Sequence, residues 1–280
     1  MEHLRGLAAQ VVDAALRQLD IRAALLVGSA GRGDADRYSD LDLLFYVDAL
    51  PPDDAVARLR KFLGGIHPVR RYERTEHATG EEFELAGVRT EVSFTTVERV
   101  EWQLDQLLVE LVDVVSPRQK LLAGLAEGLA LHGDELIARW QARLREYPEP
   151  FRREVIARRW RFFPLWFHED TLEHRDCELW RLDVLLDGAF DLLGVLAALN
   201  RLYFARFELK RMRDLVARME IAPPSLADRI EALFRLPRDE ATREFGLLVE
   251  ETRLLVAAEL PDLALALPAP LDARQRPWRL

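Results

Sequence analysis

The chain has 280 residues, of which 49% are hydrophobic, and its formal net charge is −9. This length is enough for two domains of ordinary size, and an acidic chain without a basic patch argues against binding to a nucleic-acid backbone. Cys177 is the only cysteine, which excludes an intrachain disulfide and a zinc–cysteine cluster. Without a signal-like N terminus or an apolar run of membrane-spanning length, we expect a cytoplasmic protein with no membrane partner.

The first part of the chain alternates between helix and strand patterns. Apolar residues at helical spacing predict an amphipathic helix over 2–19, and short apolar runs predict buried strands at 23–27 and 41–47. Prolines and aspartates at 51–54 mark the start of another helix, which is expected to end at Gly64-Gly65.

Three more strands are predicted near 66–74, 82–86 and 88–95, and Thr96 is placed to cap the helix that follows them. Beyond Pro117 the long segments have helical period, and no further strand pair is predicted. The fold class is therefore α+β, with a small mixed-sheet domain followed by an all-α helical bundle domain. We place the first domain at 1–115 and the second at 116–280, with an irregular, proline-rich tail from 261.

The most informative stretch is 25–47. An apolar run ends in Gly28-Ser29, a polar glycine-rich loop follows, and a second apolar run opens with Ser39-Asp40-Leu41-Asp42. Side chains at i and i+2 of a strand share a face, so Asp40 and Asp42 are expected to lie together. Two such carboxylates repel unless a cation lies between them, and Mg²⁺ prefers hard oxygen ligands. Gly28 and Ser29 would offer flexible backbone, N–H groups and a hydroxyl to a phosphate.

These residues resemble the signature of the DNA polymerase beta-like nucleotidyltransferase superfamily, in which Gly-Ser is followed after a gap by Asp-x-Asp. Here ten residues, 30–39, separate Gly28-Ser29 from Asp40. The fuller pattern at 28–34 is similar to that of antibiotic nucleotidyltransferases and minimal nucleotidyltransferase antitoxins. The alternative is an ordinary hairpin with a solvated acidic edge.

The resemblance implies a third metal-binding carboxylate on a later strand. The stretch 87–94 alternates, which places Arg89, Glu91 and Ser93 on one face. Glu91 is the candidate, with glutamate in place of the aspartate of the polymerases. Three competing glutamates are expected to border a hairpin turn in solvent, namely Glu81, Glu82 and Glu84.

The activity that the resemblance implies is nucleotidyl transfer with two Mg²⁺ ions between Asp40, Asp42, Glu91 and the triphosphate of ATP or another NTP. One ion would act on the acceptor hydroxyl and the other on the α-phosphate and the leaving pyrophosphate. Glu91 would double as general base if it reaches the acceptor. The residues expected to bind the nucleotide are Gly28, Ser29, Arg32, Ser39 and Lys210.

The helical half contains an acidic region. Residues 168–191 hold eight acids against two arginines, and Asp183, Asp187 and Asp191 step by four along one helix face. One hypothesis is a binding wall for a cationic substrate, with Asp183 and Asp187 in contact with it. The other is a solvated face with arginine partners.

Lys210 is one of only three lysines. The segments 200–210 and 221–226 are loosely similar to the C-terminal helical region of bacterial aminoglycoside adenylyltransferase-type proteins. In those relatives a lysine of the helical domain reaches the nucleotide phosphates, and Lys210 is the positional match. The alternative is an ordinary surface lysine.

Three classes of function remain open. The first is transfer of AMP to a hydroxyl of a small, cationic, aminoglycoside-like acceptor. The second is a protein AMP-transferase of the toxin–antitoxin type, and the third is a catalytically inactive nucleotide-binding module. The pair Arg161 and His168 resembles a motif of helical toxin RNases, but Pro164 interrupts it and we assign it no function.

Overall fold

The computed structural model describes residues 2–163, 174–206 and 209–268, together with His168 and Leu172. The chain divides into two compact units. The sheet unit comprises Met1–Val112 and Leu121–Tyr147, and the helical unit comprises Asp113–Lys120 and Pro148–Leu280. This division differs from the predicted boundary at 115, because the segment 121–147 groups with the sheet.

The sheet unit is built on a six-stranded mixed sheet, which confirms the predicted α+β class. Its strands are β1 (Ala23–Val27), β2 (Leu41–Val47), β3 (Ile66–Arg71), β4 (Ala78–Leu85), β5 (Val88–Thr96) and β6 (Leu129–His132). The first six helices in chain order are α1 (Glu2–Leu16), α2 (Gly28–Arg32), α3 (Ala55–Leu63), α4 (Val97–Leu108), α5 (Gln119–Glu127) and α6 (Asp134–Arg145). Helix α5 begins in a segment that belongs to the helical unit and continues into the sheet unit.

The strands are ordered β3-β4-β5-β2-β1-β6, and β2 and β5 are the parallel pair. One face of the central strands is the core, where Leu41, Leu43 and Phe45 alternate inward against residues of α1 and α3. The opposite face carries the half-buried Asp42 and, farther along β2, the buried Tyr46. One end of this second face is therefore polar and partly accessible.

Several local predictions need correction. The segment 28–32 is a short helix rather than a loop, and β4 begins at Ala78 rather than near 82. Strand β6, which pairs with β1, corrects the prediction that no further strand pairing follows Pro117. It has only four half-buried residues, too few to show a strand period in the sequence.

The helical unit contains no strand among its described residues. After α5 and α6, its helices are α7 (Glu149–Arg159), α8 (Glu178–Leu199), α9 (Met212–Ala217), α10 (Leu226–Ala232), α11 (Arg238–Glu259) and α12 (Pro261–Ala266). Helix α12 corrects the predicted irregular tail at its start, and residues 269–280 lie outside the described part. Residues 201–206 and 209–211 are irregular, although the segment after Pro117 was predicted helical.

Close helix packing in this unit depends on two glycines of α8. A Cβ at Gly188 would lie 2.3 Å from the ring of Phe245, and one at Gly194 would lie 2.2 Å from Cδ of Arg159. Arg152 donates to the carbonyls of Ala198 and Leu199, which satisfies groups that the end of α8 leaves without helical partners. None of the described helices is long and apolar enough to cross a membrane.

Candidate functional site

Strand register brings two of the predicted carboxylates together. Asp42 of β2 pairs in register with Val27 of β1 on one side and with Glu91 of β5 on the other. Adjacent strands lie about 4.8 Å apart, so the Asp42 and Glu91 side chains leave neighbouring positions on one face. Asp40 comes immediately before Leu41, the first residue of β2, and is also half-buried.

Gly28 follows β1 and closes one side of this site. Its φ is +67°, a left-handed value that favours glycine. A Cβ at this position would lie 2.9 Å from Oδ2 of Asp42. The glycine therefore allows the backbone after β1 to approach the Asp42 carboxylate closely, which any other residue would obstruct.

Both oxygens of Glu91 accept hydrogen bonds from hydroxyl groups. The Tyr72 hydroxyl donates to Oε2 at 3.0 Å, and the Ser93 hydroxyl donates to Oε1 at 2.9 Å. Ser93 lies two residues along β5 on the same face, as the alternation predicts. The Glu91 carboxylate is held by neutral donors, which leave its charge uncancelled.

A fourth carboxylate lies next in the same row across the sheet. Glu82 of β4 pairs in register with Glu91, and its Oε2 accepts from Arg89 at 2.8 Å. This bond to Arg89 lowers the pKa of Glu82. The same bond raises the pKa of Arg89, and the nearby charge of Asp40 raises it further.

Burial, followed by the nearby Glu91 charge, raises the pKa of Tyr72. Tyr72 therefore stays a hydrogen-bond donor.

The sequence had suggested that the competing glutamates border a hairpin turn in solvent, and among them Glu84 lies closest to the β4–β5 turn. They belong to β4, and the turn that follows is formed by Ala86 and Gly87, both with positive φ. Glu81 is buried and paired with Arg60 and Arg71 on the other side of the strand. This pairing assigns Glu81 to the core side of the sheet.

The donor chemistry of the site fits a hard divalent cation, because Asp40, Asp42 and Glu91 offer only carboxylate oxygens. Within the described residues, however, no group of three or more His, Cys, Asp or Glu side chains is already arranged around a common ion position. The backbone register supplies the neighbouring positions of Asp42 and Glu91.

The predicted phosphate-binding residues have protein partners of their own. The Ser39 hydroxyl accepts from the backbone N–H of Asp36 at 2.9 Å and orders the loop before β2. The Arg32 guanidinium lies 3.4 Å from the Asp34 carboxylate and 3.8 Å from that of Glu127. The Ser29 carbonyl accepts from the N–H groups that follow α2, and its side chain is half-buried. Phosphate contacts by these residues stay predictions.

In the helical unit, the acidic face of α8 is largely paired with arginines. Asp187 lies 2.6 Å from Arg206, and Asp191 lies 3.1 Å from the buried Arg159. Burial raises the pKa of Asp191 more than the Arg159 charge lowers it. Asp183 is exposed. These contacts favour the arginine-paired alternative over the substrate wall for Asp187.

Lys210 is exposed in the irregular segment before α9. The structure describes it within the helical unit, and its predicted contact with a nucleotide stays a prediction. The sequence hypothesis missed Tyr72 as a neighbour of the site. It placed Arg89 and Ser93 on the face of Glu91, and it considered Glu82 only as a competing carboxylate.

Comparison with protein families gives a match in the first part of the chain. Residues 10–128 match the family model described as a nucleotidyltransferase domain, and this range includes Gly28, Asp40, Asp42 and Glu91. No curated protein is significantly similar to the sequence. A solved structure of a nucleotidyltransferase-like protein from Exiguobacterium sibiricum 255-15 is 14% identical, covering 97% of this chain and 81% of that chain with a TM-score of 0.31. At that identity and score, the likeness carries no argument about function.

Proposed function

We propose that the sheet unit catalyses Mg²⁺-dependent nucleotidyl transfer from ATP or another NTP to a hydroxyl of a small acceptor. The observation that carries this proposal is the register of Asp42 with Glu91 on parallel strands, beside a glycine that allows close backbone approach. The nucleotidyltransferase-domain match over 10–128 supports it.

Asp40, Asp42 and Glu91 would hold the metal. Divalent cations at such a site neutralise charge on phosphate oxygens and activate an acceptor hydroxyl. Each Glu91 oxygen has a second lone pair beyond the hydrogen bond that it accepts. The Tyr72 and Ser93 contacts are therefore compatible with a ligand role for Glu91.

In the proposed reaction the acceptor hydroxyl loses its proton to Glu91 or to water, and its oxygen forms a bond to the α-phosphorus as the bond to the bridging oxygen of the pyrophosphate breaks. Phosphoryl chemistry of this kind depends on positioning and charge neutralisation more than on covalent catalysis. The side chains of a rigid sheet are suited to that task, because Asp42 and Glu91 lie on paired strands with fully buried neighbours, Leu43 and Val92.

We propose a hydroxylated, cationic compound of the aminoglycoside-like class as the first acceptor to test. The support is the acid-rich stretch 168–191, in which Asp183 is exposed. Lys210 is proposed to contact the nucleotide phosphates. The acceptor class follows from the charge of this stretch, and the role of Lys210 follows from the sequence resemblance.

The test is pyrophosphate release by the full chain with each of the four NTPs, Mg²⁺ and a panel of cationic and neutral hydroxylated compounds. We expect release that requires Mg²⁺ and stops on chelation by EDTA. Calorimetry with a non-hydrolysable NTP and Mg²⁺ measures nucleotide binding without an acceptor. Absence of both NTP binding and pyrophosphate release would rule out the proposal.

A further inference from the structure

The tyrosine that donates to Oε2 of Glu91 lies just after a different strand and is itself held on several sides. Tyr72 directly follows β3, and its backbone N–H donates to the carbonyl of Gly80 on β4 at 3.1 Å. The guanidinium of Arg70 lies over its ring, 5.6 Å from the centroid. The hydroxyl then reaches Oε2 of Glu91 at 3.0 Å. Ring, backbone and hydroxyl are each restrained by a different neighbour.

The Tyr72 hydroxyl has two carboxylates within reach. Oε2 of Glu82 lies 3.4 Å away, against 3.0 Å for Glu91. Glu82 has a strong partner of its own in Arg89, at 2.8 Å. Because Arg89 satisfies Glu82 with a charge-assisted bond, the Tyr72 proton is left for Glu91.

We propose that Tyr72 is a positioning residue for the metal site, fixing the orientation of the Glu91 carboxylate, the strand neighbour of Asp42, through a neutral hydrogen bond. This inference rests on the proposed function, since it requires that Glu91 binds a metal. A hydroxyl orients a carboxylate without cancelling its charge, whereas an arginine in the same place would compete with the cation. Outer-shell donors of this kind fix the direction in which a ligand presents its lone pairs.

Ser93 supports the same carboxylate from the opposite oxygen. A glutamate side chain has several rotatable bonds, so a free Glu91 would sample many orientations. Two hydroxyls on two oxygens select one of them before any ion arrives. The preorganisation that results is expected to appear as affinity for the metal.

The experiment measures Mn²⁺ binding to the full chain by electron paramagnetic resonance, with Mn²⁺ alone as the probe. Tyr72→Phe removes only the hydroxyl, and we expect it to weaken Mn²⁺ binding by about tenfold, the lower end for outer-shell substitutions. Ser93→Ala is expected to weaken it several-fold. The matched control is Tyr46→Phe, which removes a hydroxyl from β2 at a position away from the carboxylates and should leave Mn²⁺ binding unchanged.

A double-mutant cycle with Glu91→Gln separates positioning from a general structural effect. Because Tyr72 acts through Glu91, Tyr72→Phe should cause no further loss in the Glu91→Gln background. An equal loss in both backgrounds, or wild-type affinity in Tyr72→Phe, would overturn the inference while leaving the proposed function intact. A wild-type chain that fails to bind Mn²⁺ would overturn both.

Discussion

The sheet unit and the helical unit both gather aspartates or glutamates on one face, but they give them different partners. On the sheet, Asp42 and Glu91 are neighbours by strand register, and the Glu91 oxygens accept from hydroxyls. On α8, Asp187 and Asp191 are neighbours by helical spacing, and each is paired with an arginine. A hydroxyl leaves the carboxylate charge available for a cation, whereas an arginine neutralises it. The type of partner that a carboxylate has, hydroxyl or arginine, therefore indicates which acidic face is available to a cation.

The largest expected effect is the loss of nucleotide turnover when a carboxylate of the sheet site is removed. Asp42→Asn should lower nucleotide turnover by roughly three orders of magnitude, since metal stabilisation is worth several kcal/mol. The unfolding midpoint should be unchanged or slightly higher because a repulsion between neighbouring carboxylates is removed. Pyrophosphate release and thermal unfolding are the measurements. Asp48→Asn is the control, as Asp48 is an exposed acid just beyond the other end of β2. Full activity in Asp42→Asn would show that this carboxylate is not required for turnover.

In the helical unit, substitution of an acidic residue is expected to affect stability rather than turnover. Asp191→Asn removes a charged acceptor of the buried Arg159 and should lower the free energy of unfolding by about 3 kcal/mol. Asp183→Asn, on the same helix but exposed, should change it by less than about 0.5 kcal/mol. Denaturant titration followed by circular dichroism measures both. Loss of turnover with a cationic acceptor in Asp183→Asn would instead support a substrate role for this face.

A pH dependence is expected from the helical unit as well. Burial, with Arg181 nearby, lowers the pKa of His168 to about 4 from an ordinary 6.5. The unfolded chain therefore binds a proton that the folded chain does not, so stability is lost as the pH falls below 6.5. Between about pH 8 and about pH 5 the loss should be about 2 kcal/mol.

His168→Phe should abolish that part of the pH dependence, measured as the free energy of unfolding in denaturant at each pH. His174→Phe serves as the control because His174 is exposed. An unchanged pH profile in His168→Phe would show that the helical interior does not exclude the charged imidazole.

The smallest expected effect is a change in stability from Tyr46, which lies on the same face of β2 as Asp42 but near the other end of the strand. Asp42 lies at the open end of β2, whereas Tyr46 packs edge-on against Trp140 and its hydroxyl has no hydrogen-bond partner among the described residues. Tyr46→Phe should raise the free energy of unfolding by up to about 1 kcal/mol, because a buried unsatisfied hydroxyl is removed. Denaturant titration checks this. A marked destabilisation would mean that the hydroxyl is satisfied in solution.

Local pattern was sufficient to predict the central elements. Alternation placed Glu91 and Ser93 on one face, and the apolar runs at 23–27 and 41–47 match β1 and β2 as the structure has them. Thr96 caps α4, its side chain accepting from the N–H of Arg99, as expected from a threonine before a helical period. Each of these depends on residues only a few positions apart.

What could not be predicted depends on register between distant strands. Tyr72 approaches Glu91 only because β3 pairs with β4 and β4 with β5, and no local period encodes that alignment. Asp187 gave no local sign of its partner, because Arg206 lies nineteen positions later, outside any helical turn. Tyr72 and Arg206, which contact a carboxylate from a distant part of the chain, were therefore the partners missed.

The pairing of β6 with β1 has a consequence for where this chain can be cut. Leu25 and Leu26 of β1 are fully buried and face Ala130 and Leu129 across the last ladder of the sheet. A fragment ending at 115 would keep the Gly-Ser and Asp-x-Asp segments but leave β1 as an unpaired apolar edge. Such edges recruit strands from other molecules. We expect that fragment to aggregate, and one extended to Tyr147 to remain monodisperse in size-exclusion chromatography.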